Sequence, residues 1–280
     1  MNALEIRNLT KSYPNFQLKN INLTVPSGCV MGLVGKNGAG KSTTIKLILG
    51  MIKRDSGTIS IMEKDGVQNL TELKQDIGVV LDEIGLPAFA TVKKINNIMK
   101  NVYTRWDEKK FFDFINKFSI PHDKEFEKLS RGTKMKMGIA IALSHDPKLL
   151  ILDEATSGLD PVVRDEVIDL LNDFTRDENH SVLISSHIVS DLEKLCDYIA
   201  FIDNGEIILC EEKDAINEKY ALLQCSEEQL RDIDEGAIIG KKVNSYNVEA
   251  VVKRSMIPHN MAASRIGIED LFIYMAKEEK

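Results

Sequence analysis

The sequence predicts an α/β fold built on a parallel sheet, and three observations predict it. Short, near-continuously apolar runs, VMGLVG (30–35), LLILD (149–153) and SVLISSH (181–187), suit strands covered on both faces. Helical patterns lie between them: KSTTIKLILGMI (41–52), PVVRDEVIDLLNDFTRDE (161–178) and IVSDLEKLCDYI (188–199). The first run also leads straight into a Gly-rich loop and then a helix, the context of a phosphate-holding P-loop core.

In chain order, residues 3–10 (ALEIRNLT) and 20–25 (NINLTV) alternate apolar and polar and read as half-buried strands. They predict an antiparallel portion added to the core. Residues 84–145 differ, because from Thr91 onward they read as helix. TVKKINNIMKNVYTRW, DEKKFFDFINKF and the helix after LSRGT form an inserted helical subdomain. AFIDNGEIILC (200–210) is a turn-rich strand pair that closes the core, so residues 1–212 are read as one domain. Residues 213–280 are charged and less patterned. YALLQCS and AIIGKKVNSYNVEAVVKR read as strands and GIEDLFIYMAKE as a closing amphipathic helix, a small C-terminal α/β appendage. No internal repeat, low-complexity tract or heptad run is seen.

A length of 280 residues fits one large domain with an appendage, and 43% hydrophobic and 28% charged residues are ordinary for a globular chain. A net charge of -7 argues against nucleic acid as the main partner, which needs a basic patch. Cys29, Cys196, Cys210 and Cys225 lack metal-ligand spacing and read as small buried or half-buried hydrophobes in a reducing compartment. The start MNALEIRNLTKSY has no apolar signal core, so no export is expected. No run approaches the ~20 apolar residues of a membrane span, so work at a membrane would go through a partner.

The chemistry begins at VGKNGAGKST (34–43), where Gly35, Gly40, Lys41 and Ser42 fit G-x-x-x-x-G-K-[ST]. The loop Gly35, Asn37, Gly38, Ala39, Gly40 turns backbone N–H groups onto β- and γ-phosphates, and Thr43 follows in the helix. Lys41 reaches the β/γ oxygens and the Ser42 hydroxyl takes Mg²⁺. The bland alternative is a Gly-rich turn capping a helix. KLLILDEATSGLD (148–160) delivers Asp153, a metal-holding carboxylate, to the carboxyl end of the sheet. Glu154 follows, placed to orient or deprotonate a water in line with the γ-phosphate. His187 ends a third strand at the same edge and is a γ-phosphate contact; alone, such a His is more often structural.

LSRGTKMK (129–136) then places a Ser, a Gly and basic residues at the mouth of an apolar helix, a second phosphate cradle. The order P-loop, helical insertion, LSRGTKMK, LILDEATSGLD and SSH resembles the ATP-binding subunit of an ABC transporter, over about residues 3–212. The resemblance implies an ATP-binding α/β core of ABC type with an antiparallel β portion and an inserted helical subdomain. It also implies that two subunits pair head to tail, so that Ser130 and Gly132 bind the ATP held by the partner's P-loop. Tyr13 matches the ring that stacks on adenine, the segment Ser157 to Asp160 matches the one that crosses the dimer interface, and His187 matches the switch histidine.

Two departures stand out. Arg131 replaces the first Gly of the usual LSGGQ and Thr133 its Gln, a style similar to ABC-2-type exporter subunits. Asp82 stands where the family usually has a Gln that contacts Mg²⁺ and the attacking water. Asp82 can still offer oxygen to Mg²⁺, or point away, with Glu83 as another occupant. The resemblance places the coupling helices of a membrane permease against residues 82–106, with Ile84, Leu86, Phe89, Tyr103 and Trp106 as docking residues; each, Trp106 foremost, can instead pack within the helical region.

The expectation is an ATPase, using ATP and Mg²⁺, that drives a separate transmembrane permease from the cytoplasmic face of the membrane, most simply for export of a drug or antimicrobial peptide. Its partners are a second ATP-binding subunit and the permease, with no nucleic acid. The alternative is a soluble ABC ATPase of translation or DNA repair. The translation type carries two cassettes and the repair type a long coiled coil, and neither is present in the sequence. A P-loop kinase leaves LSRGTKMK and SGLD unexplained, and a non-hydrolysing cassette rests on Asp82 alone.

Overall fold

A computed structural model describes residues 1–65, 70–244, 247–258 and 261–276. Parts of two expected elements, Ser245 and Tyr246 in an appendage strand and Lys277 and Glu278 at the end of the closing helix, lie outside the described residues.

The chain opens with a hairpin of β1 (Asn2–Tyr13) and β2 (Phe16–Pro26), longer than the alternation alone marks out. Then come β3 (Val30–Val34), α1 (Lys41–Ile48), β4 (Ser56–Ile61), β5 (Lys64–Asp65), α2 (Leu70–Leu73) and β6 (Ile77–Val80). Three helices follow, α3 (Val92–Val102), α4 (Glu108–Lys117) and α5 (Arg131–Leu143). The core resumes with β7 (Leu149–Asp153), α6 (Pro161–Phe174), β8 (Ser181–Ser186), α7 (Val189–Leu195), β9 (Tyr198–Asp203) and β10 (Glu206–Glu212). The last part holds α8 (Lys213–Lys219), β11 (Tyr220–Cys225), α9 (Glu227–Arg231), β12 (Ile238–Val243), β13 (Val248–Lys253), β14 (Ala263–Ser264) and α10 (Ile268–Met275).

The central sheet has the order β10-β9-β3-β8-β7-β6, parallel except for β10. Every residue of β3, β7 and β8 is buried, as continuous apolar runs require. Alternate side chains go to opposite faces. Leu149 and Ile151 join Met31, Leu183 and Ile202 in a core beneath the antiparallel sheet β2-β1-β4-β5 and α1. Leu150 and Leu152 join Val182, Ile184 and Phe201 in a core shared with the helices and with α10, where the Phe201 and Phe272 rings meet at 5.2 Å. A third sheet, β12-β13-β11-β14, carries a small core of its own around Leu223, Leu230 and Val252.

Several expected helices stop early, each for a local reason. The run from Lys41 ends at Ile48, and Gly50 adopts φ 64, a left-handed stop. The run from Ile188 ends at Leu195, because Tyr198 pairs with Met31 in the sheet and Asp197 bonds the Val30 N–H at 2.8 Å. The run from Pro161 ends at Phe174, where the Thr175 hydroxyl folds back to the Leu171 carbonyl. The helical insertion likewise breaks into α3, α4 and α5 with non-helical links, and Trp106 lies in one of these. The expectation for the cysteines needs one correction: Cys29, Cys196 and Cys225 are buried or half-buried, but Cys210 is exposed on the edge strand β10. Among the described residues no helix is long and apolar enough to cross a membrane.

Candidate nucleotide site

The parallel strands end together. Val34 stands opposite Ser186 and Asp153 opposite Ser185, so the loop after β3, the acids after β7 and His187 after β8 open on one edge. The loop is fitted closely to its surroundings. A Cβ on Gly35 would stand 2.5 Å from the Ile202 carbonyl oxygen, so only Gly fits there. Gly40 has φ 118 and faces Leu18 and the Phe16 ring, which brings the β1–β2 hairpin tip beside the loop. Tyr13, across the tip from Phe16, is 43% exposed, with the Lys11 ammonium over its ring at 5.7 Å from the centroid. The turn at Gly205 braces the far side, its N–H bonding the Ala39 carbonyl at 3.0 Å. Asn37 and Gly38 are exposed, Ser42 and Thr43 half-buried. Helix α1 starts with no acidic residue in its first turn, which keeps its positive end open to an anion.

Lys41 is 5% exposed. Its ammonium donates to the Gly35 carbonyl at 2.7 Å and pairs with Glu154 Oε1 at 3.2 Å. The other Glu154 oxygen accepts from His187 Nδ1 at 2.6 Å. Glu154 has φ 54, a left-handed conformation that costs about 1 kcal/mol and swings its side chain away from the strand direction. Its N–H holds that turn by donating to the Ser185 carbonyl at 3.1 Å. Asp153 is 4% exposed and accepts from the Ser185 hydroxyl at 2.5 Å. Lys41, Glu154 and His187 are thus one connected cluster, and Asp153 joins it through Ser185. Ser185 is the residue sequence reasoning missed. Its signal was a Ser inside a fully buried strand, which must find a polar partner.

Asp153 and Ser42 carry the hard oxygen that suits Mg²⁺, and these two residues would hold it. Among the described residues no group of three or more His, Cys, Asp or Glu forms a ready metal cage.

The second cradle is built at α5. Ser130 caps it, accepting from the Thr133 N–H at 3.2 Å, and there is no acid in its first turn. Ser130 and Arg131 are exposed and Gly132 is half-buried against Leu159, so the signature segment and the SGLD loop touch. Asp82, expected at the metal, has its carboxylate on the Arg131 guanidinium at 2.5 Å. An open cleft of about 460 Å³ beside this pair is lined by Glu83, Ile84, Phe126, Lys134 and Met135.

The expected docking residues divide. Trp106 donates to the Asn96 side chain at 2.9 Å and packs on Phe111, so it belongs to the helical region. Tyr103 stacks on buried His145 at 3.8 Å. Ile84 and Leu86 are half-buried against the core. Phe89 alone of the five stays exposed, at 64%.

Residues 18–157 match the family described as ABC transporter. The chain belongs to the ABC transporter family. It is one of that family's ATP-binding, ATP-hydrolysing subunits. It is 39% identical to the Lantibiotic transport ATP-binding protein SrtF of Streptococcus pyogenes, over 75% of this chain and 91% of that one. It is 35% identical to the Bacitracin transport ATP-binding protein BcrA of Bacillus licheniformis, over 73% of this chain and 68% of that one. Among solved structures, an ATP binding subunit of an ABC transporter superposes with a TM-score of 0.70 at 25% identity, covering 77% of this chain and 92% of that one. For an ABC transporter subunit, a P-loop and a signature cradle in one chain are the expected pair.

Proposed function

We propose that this subunit hydrolyses ATP in a head-to-tail dimer and drives a separate permease that exports an antimicrobial peptide or a similar compound. The names of the lantibiotic and bacitracin relatives support export. The Lys41–Glu154–His187 cluster, in which one carboxylate holds both the ammonium and the imidazole, carries the hydrolytic reading. ATP lies with adenine on Tyr13 and phosphates in the loop from Gly35 to Thr43. Lys41 then leaves Glu154 for the phosphate oxygens. Glu154, released on that side, takes a proton from the water that attacks the γ-phosphorus, and the bond to the β-phosphate oxygen breaks. His187 keeps Glu154 in place and reaches the γ-phosphate. Ser42 and Asp153 would hold Mg²⁺, which when bound neutralises phosphate charge. Ser130 and Gly132 close over the partner's ATP.

The ATPase unit is assigned to residues 1–212, with the helical subdomain at 84–145, and the appendage to 213–280. The subunit sits at the cytoplasmic face of the membrane through its permease, and exposed Phe89 is the docking residue the structure leaves available.

The test is Glu154→Gln. Hydrolysis should fall about a thousandfold while ATP binding persists, and light scattering should show a dimer that forms with MgATP. Turnover at the wild-type rate would remove Glu154 from the role of base.

A further inference from the structure

Asp82 and Arg131 are the two residues that depart most from the family pattern, and they lie 49 positions apart. The structure joins them. An acid has replaced a neutral amide, a base has replaced a glycine, and the two form an ion pair of 2.5 Å. Arg131 is the first residue of α5, between Ser130 and Gly132. Its side chain crosses the SGLD loop: a Cβ on Gly158 would stand 3.5 Å from its Cδ, Nε and Cζ. The guanidinium therefore lies where three loops of the composite site meet. It is also reachable, with the Arg131 and Asp82 side chains 56% and 50% exposed.

The first cradle has a matching arrangement. Lys41, whose ammonium is meant for phosphate, is held by the carboxylate of Glu154. In both cradles, then, a cation is occupied by a carboxylate of its own chain.

We propose that Arg131 is a further phosphate-binding residue of the composite site, and that Asp82 is its resting partner rather than a metal ligand. When the partner subunit brings its ATP against Ser130 and Gly132, the γ-phosphate takes the guanidinium from Asp82. A half-exposed carboxylate pair is weak. A phosphate of higher charge, met bidentately at a closing interface, is a stronger acceptor for the same fork. Asp82 thus competes with the partner's ATP and raises the nucleotide level at which the dimer closes. The inference rests on the head-to-tail sandwich proposed above.

The experiment uses full-length protein carrying Glu154→Gln. Two quantities are measured: the MgATP concentration that gives half-dimer by light scattering, and the affinity of the dilute monomer for a fluorescent ATP analogue. Arg131→Ala should raise the first about tenfold and leave the second unchanged. Arg131→Lys, which keeps the charge and loses the fork, should fall between. Asp82→Asn should lower the half-dimer concentration about threefold, and this gain should vanish when Arg131→Ala is added. If Arg131→Ala fails to fold, the Lys and Asn variants still decide through their opposite signs. Dimerisation of Arg131→Ala at the parent's MgATP concentration overturns the proposal. So does an Asp82→Asn variant that needs more MgATP, which would make the pair a strut or Asp82 a metal ligand. A parent that never dimerises with MgATP overturns the sandwich itself, and the Arg131 role with it.

Discussion

The two cradles use the same parts and differ in what surrounds them. At α1 the cation is 5% exposed and gripped by the Gly35 carbonyl and Glu154, with buried Asp153 next in the chain. At α5 Ser130 and Arg131 are exposed, and the carboxylate beside them, Asp82 just past β6, is half-exposed and tied to the Arg131 guanidinium. The first gathers a cation and carboxylates from three strand ends of one chain. In the proposed head-to-tail dimer the second is the lid over the partner's ATP. The lesson is that a helix N-terminus with small residues does not define a role; each cradle has a cation–carboxylate pair, and what differs is burial, 5% and 13% exposed at Lys41 and Glu154 against 56% and 50% at Arg131 and Asp82.

The sharpest way to break the comparison is Lys41→Ala. It removes the phosphate contact and leaves Glu154 with an unpaired charge on one side in a nearly buried site. Hydrolysis should fall about a thousandfold, and nucleotide binding to the monomer should be lost with it. Arg131→Ala should leave monomer binding intact. Equal losses in titrations of the two variants would erase the distinction between site and lid.

A second effect concerns the far end of the lid helix. His145 follows α5 directly, fully buried, with Nδ1 on the Gln75 carbonyl at 3.2 Å and its ring on Tyr103. Burial pushes its pKa down from 6.5 to about 4. The unfolded chain therefore takes up this proton first as pH falls. The stability His145 contributes is complete above about pH 6.5 and is lost on the way down to about pH 4, by about 3 kcal/mol. Urea midpoints measured at pH 7 and pH 4 should show that much less acid sensitivity in His145→Gln. An unchanged difference would assign the acid loss to other groups.

How far the sequence carried depends on whether a feature is local. β3, β7 and β8 were legible because a strand buried on both faces is a continuous apolar run, and the P-loop because its spacing is its mechanism. Helix ends were less so, since periodicity does not register that Gly50 turns left-handed or that Tyr198 is claimed by a neighbouring strand. β4 and β6 were passed over; SGTISI and IGVV are too short and mixed to separate from the loops beside them. In the site, Asp153, Glu154 and His187 could be placed because each ends a readable strand. Ser185 was hidden inside one. The Asp82–Arg131 pair was invisible for another reason: each residue looked like a separate departure, and only folding brings position 82 to position 131.

The smallest expected effect separates the two jobs of Ser130. Its hydroxyl caps α5 by accepting from the Thr133 N–H, and it also touches the Thr133 hydroxyl at 2.8 Å. Ser130→Ala should cost about 1 kcal/mol of stability through the lost cap. Ser130→Asp keeps a capping oxygen and adds a charge that the helix end favours, so its urea midpoint should match the wild type. The same Asp would face the partner's γ-phosphate and repel it. If the second cradle is a lid, Ser130→Asp is as stable as wild type yet fails to dimerise with MgATP in the Glu154→Gln background. If Ser130 serves only the helix, Asp restores everything that Ala removes.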